Sequence, residues 1–205
     1  MSLVNLDQKQ EQIVEAALKR FTHFGISKTT MNEIAEDLSL SKASLYYHFP
    51  DKTALVLSVG EVILTDFLKA QMEALAKADS FKEGILDILS IRISFGQKYF
   101  MMHIGDVQSD INTNDPKFKM MLEDLRSKEL DFIAAHIQRF QVKGFLKQVD
   151  KLETAKVLID MLIGIWICGI HVQHKGLFPS EELFEDIRMK CERVITIFCD
   201  GIKRN

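Results

Sequence analysis

Apolar positions along this chain recur at intervals of three and four residues almost from end to end, the period of amphipathic helices. Ile13, Val14, Ala17, Leu18, Phe21 and Phe24 form the first stripe, with Glu11, Glu15, Lys19 and Arg20 between them and Gly25 as the stop. Thr30-Met31-Asn32-Glu33 reads as a capping box, in which the Thr hydroxyl and Glu carboxylate satisfy free N–H groups. It opens a short helix whose Met31, Ile34, Ala35 and Leu38 face inward. Ser39-Leu40-Ser41 breaks the pattern, Ser41 caps a third helix reaching about Phe49, and Pro50-Asp51 leads into a fourth, from Thr53 to about Ala76. Ser80-Phe81-Lys82-Glu83 is a second capping box opening a helix towards Gly96, and Gln97–Gln108 has helical character. Asp115-Pro116 starts a helix to about Val142, with Gly144 beyond it. Asp150 or Glu153 starts the next, running to about His174, and Pro179-Ser180-Glu181-Glu182 starts the last. The pattern predicts an all-α protein of about nine helices, with a small N-terminal domain over residues 1–52 and a larger helical domain over 53–205.

Composition narrows the class. Three Pro and ten Gly in 205 residues favour long helices over a turn-rich β fold. With 47% hydrophobic and 27% charged residues the chain is neither disordered nor fibrous. A net charge of −3 advertises no bulk affinity for nucleic acid, so any basic surface is local. Cys168, Cys191 and Cys199 form no CxxC pair and read as buried free thiols in a reducing cytoplasm. Met1–Gln10 lacks the apolar core of a signal peptide, and the longest uncharged stretch, Met161–His174, is too short to span a bilayer.

The third helix carries the most information. It follows the second after a three-residue turn, the spacing of a helix-turn-helix. At about 100° per residue, Leu45 and Phe49 share the inward face and Tyr47 lies opposite. Ala43 and Ser44 also point away, Tyr46 and His48 flank, and Lys42 stands at the N-terminal end. This outer face offers hydroxyls, an imidazole and a small methyl, and no acid, which suits a major groove. Lys52, at the start of the fourth helix, combines an ammonium with a helix N-terminus as a phosphate clamp. Thr30 offers a hydroxyl to phosphate in the same way, provided capping does not use it. From the residues alone, a DNA-reading unit and a plain helical subdomain with half-buried tyrosines both stand, because charges of the two signs nearly cancel over residues 1–55.

A resemblance separates them. Thr29-Thr30-Met31, Ile34-Ala35 and the run Leu38 to Leu55, which contains Ser41-Lys42-Ala43-Ser44-Leu45-Tyr46-Tyr47-His48-Phe49-Pro50-Asp51-Lys52, resemble the DNA-binding signature of TetR-family transcriptional regulators over about residues 9–55. Ser39 stands where that family often has Gly, and Ala43 where Gly or Pro is common. The resemblance implies that Lys42, Ser44, Tyr46, Tyr47, His48 and Lys52 lie at double-stranded DNA. It also implies a homodimer on a palindromic operator, a helical ligand-binding domain and ligand-controlled release. Gly144-Phe145-Leu146, Asp150, Ala155 and Leu162-Ile163-Gly164-Ile165 resemble the family more faintly.

The long helices supply candidates for the other two functions. The helix over 154–173 is apolar nearly all round, and the last adds Leu183, Phe184, Ile187, Val194, Ile195, Ile197 and Phe198. Two such helices per chain suit a four-helix dimer interface, in which Gly164 and Gly169 allow close approach and Ile195→Glu is expected to give monomers or insoluble protein. Phe95, Tyr99, Phe100, Met102 and His103, with Met121 and Trp166, are candidate linings of an apolar effector pocket, although ordinary core packing explains each one singly. No GxGxxG, P-loop, GxSxG, HExxH or Glu-x-x-His occurs, so no enzyme and no cofactor is expected. Cys168, His171 and His174 are splayed by about 120° across their helix and are not expected to hold a metal. The competing class is a helical small-molecule-binding protein without DNA binding.

Overall fold

The computed structural model describes residues 6–104, 115–173 and 179–204. They form nine α-helices: α1 Gln8–Phe24, α2 Met31–Asp37, α3 Lys42–His48, α4 Lys52–Lys77, α5 Phe81–Lys98, α6 Phe100–Ile104, α7 Pro116–Val142, α8 Lys151–Ile167 and α9 Glu181–Ile202. A π-helical turn, Cys168–Gln173, continues α8. Among the described residues the sole β-type pairing is a bridge between Leu146 and Lys203. The all-α expectation holds, and no described helix is long and apolar enough to cross a membrane. The end of the Gln97–Gln108 segment and His174 lie outside the described residues.

Caps explain most helix starts. Asp7 accepts from the N–H groups of Lys9 and Gln10, both at 2.8 Å, and Gln10 returns a bond to the Asp7 N–H. Thr30–Glu33 and Ser80–Glu83 form the two expected boxes. Asp115, Asp150 and Ser180 cap α7, α8 and α9. Each satisfies donors that a helix cannot bond internally.

Two compact units result, Met1–Asp66 with Gly96–Asp124, and Phe67–Phe95 with Leu125–Asn205. This division differs from the boundary at residues 52/53, because α4 continues unbroken past it and α6 comes back to pack on α1. The return is close. Gly25 has φ +84°, and a Cβ there would stand 3.1 Å from the Met101 carbonyl oxygen, so both backbone and space require glycine. The core of the first unit joins Ile13, Val14, Ala17, Phe21, Ile34, Leu45, Phe49, Leu55 and Val59. Phe24, read as part of the inward stripe, is 49% exposed, because α1 ends there and its last turn projects beyond the core.

In the second unit, Arg139 of α7 donates to the carbonyls of Ala76 and Ala78 at the end of α4. Gln141 donates to the carbonyls of Lys147 and Val149 and so shapes the loop before α8. Along α9, Phe184, Ile187, Cys191, Ile195 and Cys199 are buried at helical spacing. Burial pushes the Cys191 and Cys199 thiols up to about 11, so they stay protonated. Cys168 corrects the expectation of three buried thiols: it is exposed where α8 gives way to the π turn.

Candidate DNA-binding interface

The reading head is built on a small, fully packed core. Leu45 is 0% exposed and Phe49 4%, while Tyr47, half a turn away, is 85% exposed. The faces assigned from helical geometry are therefore the faces observed. Ser41 caps α3 by accepting from the Ser44 N–H at 3.1 Å. Lys42, Ala43 and Tyr46 are exposed, and Ser44 and His48 are half-buried. The Lys42 ammonium lies 5.8 Å from the Tyr46 ring centre, and Tyr47 meets the His48 imidazole edge-on at 5.3 Å.

The turn before α3 has a strict geometry. Ser39 has φ +53°, Leu40 N–H donates to Ala35 O at 2.8 Å, and Ser39 N–H donates to Glu36 O at 3.0 Å. This is a Schellman closure with a serine in the left-handed position that glycine usually fills. It explains physically why Gly is common there in the family.

Three contacts that sequence patterning missed hold the head together. Arg20 of α1 engages Asp37 of α2 through two bonds, at 2.5 and 2.8 Å, and reaches Glu33 at 3.3 Å. Asp7 Oδ2 lies 3.8 Å from His48 Nδ1 and ties the start of α1 to the end of α3. On a linear sequence these charges are indistinguishable from a solvated face.

Two expected phosphate contacts change in character. Capping does use the Thr30 hydroxyl: it donates to Glu33 Oε2 at 2.8 Å and accepts from the Glu33 N–H at 3.3 Å. The Thr30 N–H and hydroxyl hold the Glu33 carboxyl below its usual range, which keeps an anion at this terminus. Asp51 caps α4 by accepting from the Ala54 N–H at 2.7 Å, so the phosphate capacity expected there rests on the Lys52 ammonium.

The expected effector residues are divided between the two units. Tyr99, Phe100, Met102 and Met121 belong to the first unit, Phe95 and Trp166 to the second, and the His103 side chain lies outside the described residues. Met102 packs on the reading-head core, the Met121 methyl lies beside Gly60, and Trp166 sits 5.9 Å from the Phe184 ring. Each is engaged in packing within its own unit.

Comparison with known proteins agrees with this geometry. Residues 13–59 match the family described as bacterial regulatory proteins, tetR family. The uncharacterized HTH-type transcriptional regulator YhgD of Bacillus subtilis is 25% identical over 162 residues, 79% of this chain and 84% of its own. The HTH-type transcriptional regulator RutR of Escherichia coli is 40% identical over 80 residues, 38% of each chain. A transcriptional regulator from Cytophaga hutchinsonii, solved by crystallography, superposes with a TM-score of 0.85 at 29% identity, covering 97% of this chain and 100% of that one. The family match covers the reading head and the structural likeness extends over both units, so the reading head is that of the TetR family of transcriptional regulators.

Proposed function

We propose that this regulator is a repressor that binds a palindromic operator as a homodimer in the cytoplasm and is released by a small, largely apolar effector. The observation that carries DNA reading is the outward face of α3, where Tyr47 stands in solvent above a core sealed by Leu45 and Phe49. Lys42, Ala43, Ser44, Tyr46 and His48 share or flank that face, and Lys52, at the start of α4, supplies an ammonium for phosphate in this reading. Two such heads must lie about 34–36 Å apart to enter successive major grooves, which requires a dimer.

The exposed apolar residues of the last two helices support the dimer. Val157 and Ile167 on α8, and Met189 and Ile197 on α9, are each about half exposed or more in the single chain. Gly164 faces open space beside them. Gly169 serves within the chain instead, since a Cβ there would meet the Ile187 side chain at 2.6 Å. Helix α4 follows the reading helix after three residues and runs through the division between the units, so it is the element through which an effector would tilt the head.

A gel shift with DNA from upstream of the gene tests DNA reading. Tyr47→Ala is expected to weaken the shift while leaving the melting temperature within about 2 °C, since it removes no core contact. A large drop in melting temperature would place Tyr47 in the core. Lys52→Ala is expected to weaken binding to all sequences alike and to make the salt slope shallower by about one unit. Loss confined to the operator would assign Lys52 to base reading instead.

A further inference from the structure

We propose that the second unit holds a polar recognition centre, formed by Gln71, Arg92 and Glu129, for an effector with a neutral amide-type edge on an apolar or aromatic body. This rests on the effector-controlled reading above and names the ligand chemistry. Gln71 of α4 is 1% exposed, and neither its Nε2 nor its Oε1 has a hydrogen-bond partner among the described residues. Leaving a carboxamide buried and unpaired is costly to a folded chain, and such groups in native proteins call for a reason.

The surroundings supply one. Phe67 lies one turn before Gln71 on the same buried face of α4. The Arg92 guanidinium of α5 sits 5.6 Å from the Phe67 ring centre, and Phe95 meets Phe67 edge-on at 5.2 Å. Arg92 Nη2 is 2.5 Å from Oε1 of Glu129, a carboxylate of α7 that is 4% exposed. That approach lacks hydrogen-bond alignment, and Arg92 Nε is also buried without a partner. Phe67, four residues before Gln71 on α4, is thus the side chain that brings this face of α4 to Arg92 and Phe95 of α5.

Charge and donor inventory select the ligand. The Arg92–Glu129 pair is neutral as a unit, so an anionic ligand would compete with Glu129 for the guanidinium and leave a buried carboxylate uncompensated. A carboxamide or lactam edge avoids that conflict. Its carbonyl oxygen accepts from Gln71 Nε2 and Arg92 Nε, and its N–H donates to Gln71 Oε1. The body rests on Phe67 and Phe95.

The test titrates benzamide, benzoate and ethylbenzene into the full-length protein and its Gln71→Met variant by calorimetry, with operator gel shifts on both. Benzamide is expected to bind the natural protein at least about tenfold more tightly than benzoate or ethylbenzene. Gln71→Met is expected to abolish that preference, to raise the melting temperature by about 2–4 °C, and to keep operator binding. Absence of benzamide binding, a preference for benzoate, unchanged binding in Gln71→Met, or a lowered melting temperature would each overturn the proposal. Failure of the gel shift with the natural protein would instead overturn the regulator reading, so the two failures are distinguishable.

Discussion

Ile197→Glu is expected to yield a folded monomer that has lost operator affinity by on the order of 10²–10⁴-fold, the advantage of two linked half-site contacts. Ile197 is 72% exposed in the single chain, so a carboxylate there barely disturbs the protomer. In the proposed dimer the same carboxylate would be buried against a second copy without a counter-charge. Ile195, two residues earlier, behaves differently. It is 0% exposed, within the chain's own core, so Ile195→Glu is expected to unfold the protein rather than to separate subunits. The structure thereby corrects the sequence reading, which grouped the two isoleucines as one apolar surface. Sedimentation and circular dichroism on both variants distinguish the cases. A dimeric Ile197→Glu protein that shifts operator normally would move the interface elsewhere.

Between about pH 7.5 and pH 4 the protein is expected to lose about 3 kcal/mol of stability through His136 alone. Burial pushes this imidazole down to about 4, with Arg139 adding to the effect and the Phe81 carbonyl opposing it. The ring is 4% exposed, stacked on Phe81 at 5.4 Å and edge-on to Phe140 at 5.0 Å. It lies so close to α5 that a Cβ on Gly84 would come within 2.5 Å of Nε2. The unfolded imidazole takes up a proton near pH 6.5 while the folded one does not until about pH 4. Stability is therefore complete above the unfolded value, falls as pH drops through this window, and loses nothing further from this residue below it. Urea midpoints of the natural protein and His136→Gln across the window measure the effect. Parallel pH profiles for the two would show that His136 is not the titrating group.

The two outcomes mark what patterning can and cannot resolve. Caps such as Thr30–Glu33, Ser80–Glu83 and Asp150 are local chemistry, and each lies where the sequence puts it. The α3 face is likewise fixed by seven residues and one helical period, and Tyr47, Leu45 and Phe49 all follow it. Long apolar helices are different. Periodicity says that Ile195 and Ile197 are apolar, and only packing says which one the chain covers itself. The buried ion pair of Arg92 and Glu129 escaped for the converse reason, since charges far apart in sequence look solvated until their helices meet. That Met102 packs against the reading-head core was likewise invisible to periodicity, which says only that it is apolar.

The pairing of Leu146 with Lys203 bears on how a second copy would be presented. Lys147 N–H donates to Ile202 O at 2.9 Å and Arg204 N–H to Phe145 O at 3.0 Å, and the Lys147 ammonium reaches Gly201 O. These bonds work as a backbone clasp on the end of α9, which can then neither fray nor spin about its own axis. The azimuth of Met189, Arg193 and Ile197 is thereby locked to that of the buried stripe on the opposite side. Removing Lys203–Asn205 would cut the Arg204–Phe145 half of the clasp while sparing every apolar residue of α9. Such a truncation would loosen the angle at which two subunits meet, and with it the register of two reading heads on DNA, without touching a residue at either surface.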